Sequence, residues 1–152
     1  QVLQGHEPPG TWVAVTDWRA DWTGIGIAEH LARQGRKVRL AVSGLAAGES
    51  LPLYVRDDAA ASLHKLGVRV LPYMRLYGSD SDSVYLQHVT SGEAVVIEKV
   101  ETLVLCLGHT PVDELSDAVE ELDIESLVIG DAASPRTAGD AVYEGLEATA
   151  AI

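Results

Sequence analysis

Two short stretches of this sequence hold residue types that could meet a phosphate. The first is Asp17-Trp18-Arg19-Ala20-Asp21-Trp22-Thr23-Gly24-Ile25-Gly26, lying between an apolar run and a helical one. A dinucleotide pyrophosphate needs glycines, so that backbone N–H groups can approach its oxygens, and a free helix N-terminus aimed at its charge. Counted back from Ala28-Glu29, the glycine positions of that arrangement fall on Arg19, Ala20 and Asp21, while Gly24 and Gly26 fall inside the helix. Asp17 and Asp21 would repel a phosphate, and Trp18 and Trp22 crowd its place. A ribose hydroxyl calls for an acidic residue at the end of the second strand, and a 2′-phosphate for a basic one. The chain offers Ser43 and Gly44 there. Asp17, Arg19, Asp21 and Gly24 therefore read as a degenerate dinucleotide turn, and NAD(P)H is not expected to bind it.

The second stretch is Gly130-Asp131-Ala132, directly after the apolar residues SLVI. Gly lets the chain leave a strand without a Cβ clash. A helix N-terminus just beyond it could point at a pyrophosphate. The same three residues also suit a plain strand-to-helix turn with Asp as its local cap. Other reactive residue types read more simply. Cys106 lies in an apolar run and reads as a small core hydrophobe. His6, His30, His64, His88 and His109 show no metal-ligand spacing. Asp57-Asp58 and Glu120-Glu121 read as solvated helix faces. No serine sits in a nucleophile elbow. Trp18 and Trp22 are expected to pack under the sheet edge, with an interface as the other reading.

The elements around these stretches alternate. Residues 12–16 (WVAVT) read as a buried strand, 23–34 as an amphipathic helix stopped by Gly35, and 37–42 (KVRLAV) as the next strand. Such a βαβ unit is parallel and right-handed. A second helix is expected over 56–66, stopping at Gly67, and a strand over 68–71. Three short runs follow, 75–77, 84–89 and 94–98, parted by turn residues; they read as an antiparallel meander. Residues 102–107 (TLVLCL) form another buried strand. Thr110, with Pro111 behind it, predicts a helix to about Leu122. Residues 126–129 (SLVI) predict a last strand, and Ser134-Pro135 the start of a last helix carrying Ala138, Ala141, Val142 and Leu146. The fold class is α/β: a three-layer Rossmann-like domain with a parallel sheet and an antiparallel β-meander crossover.

Composition agrees with one globular unit. The chain has 152 residues, 47% apolar and 22% charged. Its 11 basic and 23 acidic residues give a net charge of -12. That excludes a nucleic-acid surface and an anionic membrane as expected partners. No apolar run approaches the ~20 residues of a membrane span. A single cysteine cannot hold an iron–sulfur cluster or a thiolate zinc site, so no metal site is expected, and it fits a reducing cytoplasm.

With these residues in view, a family resemblance emerges. Residues 13–42 (VAVTDWRADWTGIGIAEHLARQGRKVRLAV) resemble the small domain of trimethylamine dehydrogenase and its relatives. These include dimethylamine and histamine dehydrogenases and, more distantly, 2,4-dienoyl-CoA reductase. Residues 102–111 (TLVLCLGHTP) are similar to the family's apolar strand and Gly-x-x-Pro. Residues 127–152 (LVIGDAASPRTAGDAVYEGLEATAAI) are similar to its ending and are the most specific part. The resemblance implies a piece of a longer flavoprotein with a TIM barrel carrying FMN and a 4Fe-4S cluster, and a medium domain holding ADP or FAD. It implies a connector over 1–11, the small domain over 12–126, and over 127–152 the chain's return to the medium domain, where lost sheet partners should leave apolar surface exposed. Gly130, Asp131 and Ala132 would then help to hold ADP or FAD, with Arg136 near its phosphates or at the domain interface. The catalytic residues and any cofactor would belong to the rest of the parent polypeptide, the expected partner, and a homodimer stays open. In the dienoyl-CoA reductase branch the same domain binds NADPH through a glycine turn and basic residues, and this sequence departs on both counts.

Overall fold

The computed structural model describes residues 2–122 and 124–150, the side chain of Leu3 aside. Gln1, at the head of the expected connector, and Ala151 and Ile152, at the end of the expected returning segment, lie outside the described residues, as does Asp123. The chain forms two compact units, one running to Gly108 and one starting at His109. The boundary expected at 126/127 from the resemblance thus differs from the packing boundary.

The first unit is built on a parallel sheet. Strand β1 (Trp12–Asp17) pairs with β2 (Lys37–Val42), β2 with β3 (Arg69–Leu71), and β1 on its other side with β7 (Thr102–Cys106). The spatial order is β3-β2-β1-β7. Helix α1 (Trp22–Arg33) joins β1 to β2 and α2 (Leu53–Lys65) joins β2 to β3. Val13, Val15, Leu40 and Val42 point to one face, where Ile25, Ala28, Leu31 and Leu63 bury against them. Each fully buried Val, Leu or Ile among these is worth about 1.5–3 kcal/mol. Gly35, at φ +84°, supplies the left-handed residue that stops α1, its N–H donating to the Ala32 carbonyl at 2.9 Å. Helix α2 begins earlier than the sequence suggested, straight after Pro52. Leu53 and Tyr54 are exposed, so the first turn carries no apolar periodicity to reveal it.

The other face of the sheet is covered by an antiparallel meander, β4 (Met74–Ser79), β5 (Ser83–His88) and β6 (Ala94–Glu98). Val84, Leu86 and Ile97 bury there against Ala14 and Ala41. The small side chains of the sheet on this face let the meander approach closely. The parallel sheet with an interposed antiparallel meander is the α/β arrangement expected from the sequence.

The second unit departs from the pattern reading. Residues 126–129 are extended near Ile129 but form no ladder. A strand exists only through a neighbour that accepts and donates its backbone hydrogen bonds, and none of the described residues supplies one. Leu127, Val128 and Ile129 are exposed. Thr110-Pro111 starts no helix; α3 is only Ser116–Glu120 and buries nothing. Capping residues cannot nucleate a helix that has no apolar face to pack. The last helix, α4 (Ala138–Ala150), starts after Thr137 rather than at Ser134-Pro135. Thr137 and Asp140 form a reciprocal capping box: the Asp140 N–H donates to Thr137 Oγ1 at 3.3 Å and the Thr137 N–H to Asp140 Oδ2 at 3.0 Å. Ser134 is instead held in the preceding turn, its N–H donating to the Gly130 carbonyl at 2.9 Å. Among the described residues no helix is long and apolar enough to cross a membrane.

Candidate functional site

The turn after β1 satisfies its own amides with carboxylates. Asp17, the last residue of β1, is 2% exposed. Its Oδ1 accepts the N–H groups of Arg19 at 3.1 Å and Ala20 at 3.0 Å. Asp21 caps α1, its Oδ1 accepting the Thr23 N–H at 2.8 Å. The amides that a pyrophosphate would recruit thus already serve protein carboxylates. The Arg19 guanidinium lies 3.0 Å from Asp21 Oδ2 and offsets part of the charge. Ala20 stands at φ +52°, in the left-handed region that glycine favours, at one of the three fingerprint positions. Ser50 holds it there by donating its N–H and its Oγ–H to the Ala20 carbonyl, at 3.1 and 2.7 Å.

Gly24 lies within the first turn of α1, inside the helix as the sequence indicated. A Cβ there would come 2.4 Å from Asp17 Oδ2. The helix can approach β1 this closely only because residue 24 lacks a side chain. Asp17 Oδ2 itself is buried without a hydrogen-bond partner. Burial pushes the Asp17 carboxyl above its ordinary 3.8, the two backbone N–H groups and Arg19 pulling the other way and Asp21 adding to the rise. Cys106, the register partner of Asp17 on β7, is pushed up to about 12, first by burial and then by the charges of Asp17 and Asp21. It is a core residue, not a nucleophile. Trp18 and Trp22 are 48% and 61% exposed, which corrects the expectation that they pack under the sheet edge.

The second-strand position is also spent. Ser43 donates its Oγ–H to the Trp18 carbonyl at 2.9 Å, and Glu49 accepts the Leu45 N–H at 3.0 Å beside Gly44. A nicotinamide dinucleotide does not fit these residues: its phosphates would meet Asp17 and Asp21, and its ribose would meet a loop already closed by Glu49.

In the second unit Gly130, Asp131 and Ala132 form a single 3-10 turn. Gly130 is at φ +63°, and a Cβ there would lie 3.2 Å from the Cβ of Ala141. Its N–H donates to Glu144 Oε2 at 2.7 Å, and the other oxygen of Glu144 pairs with the Arg136 guanidinium. The Arg136 N–H donates to Asp131 Oδ1 at 3.3 Å. Gly130, Asp131 and Arg136 are therefore brought together, Glu144 joining Gly130 to Arg136 and the Arg136 N–H reaching Asp131. Sequence reading passed over it. Its signal was its place in the Glu-Gly pair of the last helix. Among the described residues no group of three His, Cys, Asp or Glu gathers in a way that could hold a metal.

No protein-family model and no curated protein matches the sequence. Solved structures do. Histamine dehydrogenase from Rhizobium sp. 4-9 superposes on 95% of the chain with a TM-score of 0.81 at 23% identity. The 6-hydroxypseudooxynicotine amine oxidase of Pseudomonas geniculata N1 superposes on 97% with a TM-score of 0.84 at 22% identity. The chain has the fold of a segment of these enzymes. A 2-naphthoyl-CoA reductase shares it too, over 95% of the chain, with a TM-score of 0.78 at 23% identity. The chain spans only 24%, 23% and 21% of the length of the three.

Proposed function

We propose that the chain is a non-catalytic Rossmann-like domain of an amine dehydrogenase-like flavoprotein oxidoreductase, supporting the part of its parent that holds ADP or FAD. The fold shared with histamine dehydrogenase and an amine oxidase supports the parent's class. The observation that carries the non-catalytic reading is Asp17, seated on the amides of Arg19 and Ala20 where a pyrophosphate would sit. In this reading FMN and a 4Fe-4S cluster belong to the rest of the parent. Gly130, Asp131, Ala132 and Arg136 face ADP or FAD, with Glu144 fixing Gly130 and Arg136. The remainder of the parent polypeptide is the partner.

A second reading, a domain that binds NAD(P)H and passes hydride to a flavin, draws on the likeness to 2-naphthoyl-CoA reductase. Calorimetric titration with NADH, NADPH, ADP and FAD separates the two. The scaffold reading expects no saturable heat from either nicotinamide. Replacing Asp17, Arg19 and Asp21 by glycine should then allow weak NADH binding, because the amides are released. Micromolar NADH binding to the unaltered chain would overturn it.

A further inference from the structure

The first unit has a second concave site, lined by none of the residues of the Asp17 turn. A cleft of about 360 Å³ opens between β6 and strands β2 and β3. Arg39, Arg69 and Lys99 line it, over apolar walls from Leu71, Val95 and Ile97. Arg39 and Arg69 are register partners on adjacent parallel strands, so two like charges stand side by side. Such a pairing destabilises a sheet. Nothing in the described chain relieves it. Arg39 donates one N–H to the Glu98 carbonyl at 2.9 Å and lies over the Trp12 ring at 5.0 Å, contacts that position it without neutralising it. Neither Arg69 nor Lys99 has an ion-pair partner among the described residues. Glu98 also lines the cleft and forms no ion pair among the described residues. Nearby Glu101 is committed elsewhere, accepting the N–H groups of Thr11 and Trp12 at 2.6 and 2.9 Å.

Uncompensated cations are unexpected in a chain of net charge -12, where carboxylates outnumber cations by 23 to 11. We propose that this cleft is an anion-binding site, in which the planar forks of Arg39 and Arg69 hold a phosphate or carboxylate group and Lys99 supplies the third cation. Arginine forks match either oxyanion in two-point fashion, and the apolar walls would take the body of an organic anion. The site is independent of the flavoprotein reading, because none of its residues belongs to the Asp17 turn or the Gly130 turn.

The test is calorimetric titration of the full chain with inorganic pyrophosphate and, separately, citrate. At least one is expected to bind saturably, and the comparison assigns phosphate or carboxylate. Arg69→Gln and Lys99→Gln, both at exposed positions, should each weaken that binding about tenfold, the loss of one charged hydrogen bond. Arg33→Gln, whose side chain pairs with Glu29 on α1, should leave it unchanged. Far-UV circular dichroism checks that the variants stay folded. Absence of saturable binding for both anions, or equal weakening in Arg33→Gln, overturns the proposal.

Discussion

Asp17 and Gly24 form an interlocked pair, and each makes the other necessary. With Oδ2 already close to Gly24, Gly24→Ala should cost about 1–3 kcal/mol through overpacking. Removing the carboxylate as well, in Asp17→Ala with Gly24→Ala, should recover part of that loss; equilibrium urea unfolding of the single and double variants measures the coupling. Asp17 also sets a pH dependence. Its folded pKa is raised above the ordinary 3.8, so its contribution is fully present below 3.8 and is lost as pH rises through the folded value. The thermal midpoint of the unaltered chain should therefore lose this contribution above pH 3.8. Asp17→Asn, which keeps an oxygen for Arg19 and Ala20, should not show that loss. At this scale the sequence disclosed which residues were wrong for phosphate. It could not disclose that Asp17 accepts the turn's own amides, because that depends on the left-handed Ala20 and on Ser50, thirty residues away.

Elements that bury both faces were legible, and those that bury none were not. Strand β1 announces itself as an apolar run, because a parallel strand covered on both sides has no polar face to interrupt the pattern, while in β2 the run is broken at Lys37 and Arg39. The helix α1 is equally plain, its buried residues Ile25, Ala28 and Leu31 recurring at helical spacing. Leu40 is 0% exposed at the centre of this unit, and Leu40→Ala should cost about 2–5 kcal/mol, read as a shift of the denaturation midpoint. By contrast, SLVI has the composition of a strand and lacks a partner, and Thr110-Pro111 has the grammar of a helix start and lacks a core. Local preference proposes an element, and packing decides whether it forms. Gly130-Asp131 stands out in the sequence as a turn pair, whereas the link of Glu144 to Gly130 is a hydrogen bond across fourteen residues that no local pattern announces.

At the scale of the molecule the two units differ in kind. The first contains two apolar clusters; in the second, Gly130 is the one buried residue among those described. Charge divides the same way: residues 109–152 hold 11 of the 23 acidic residues and 1 of the 11 basic ones. Native-state hydrogen exchange should follow burial, with β1, β2 and α1 amides exchanging slowest and those of α4 orders of magnitude faster. Equal protection in α4 and β1 would contradict the difference. The pairing of β1 with β7 has a consequence in time. Val13 must meet Thr102 across most of the first unit, whereas β4, β5 and β6 meet through short turns. Closing the longer loop costs more chain entropy, so the hairpins can form early and β7 locks into place late. Within this unit β1 is thus made first and is among the last strands to be completed, and until β7 arrives one side of β1 stays open to any other strand that can reach it.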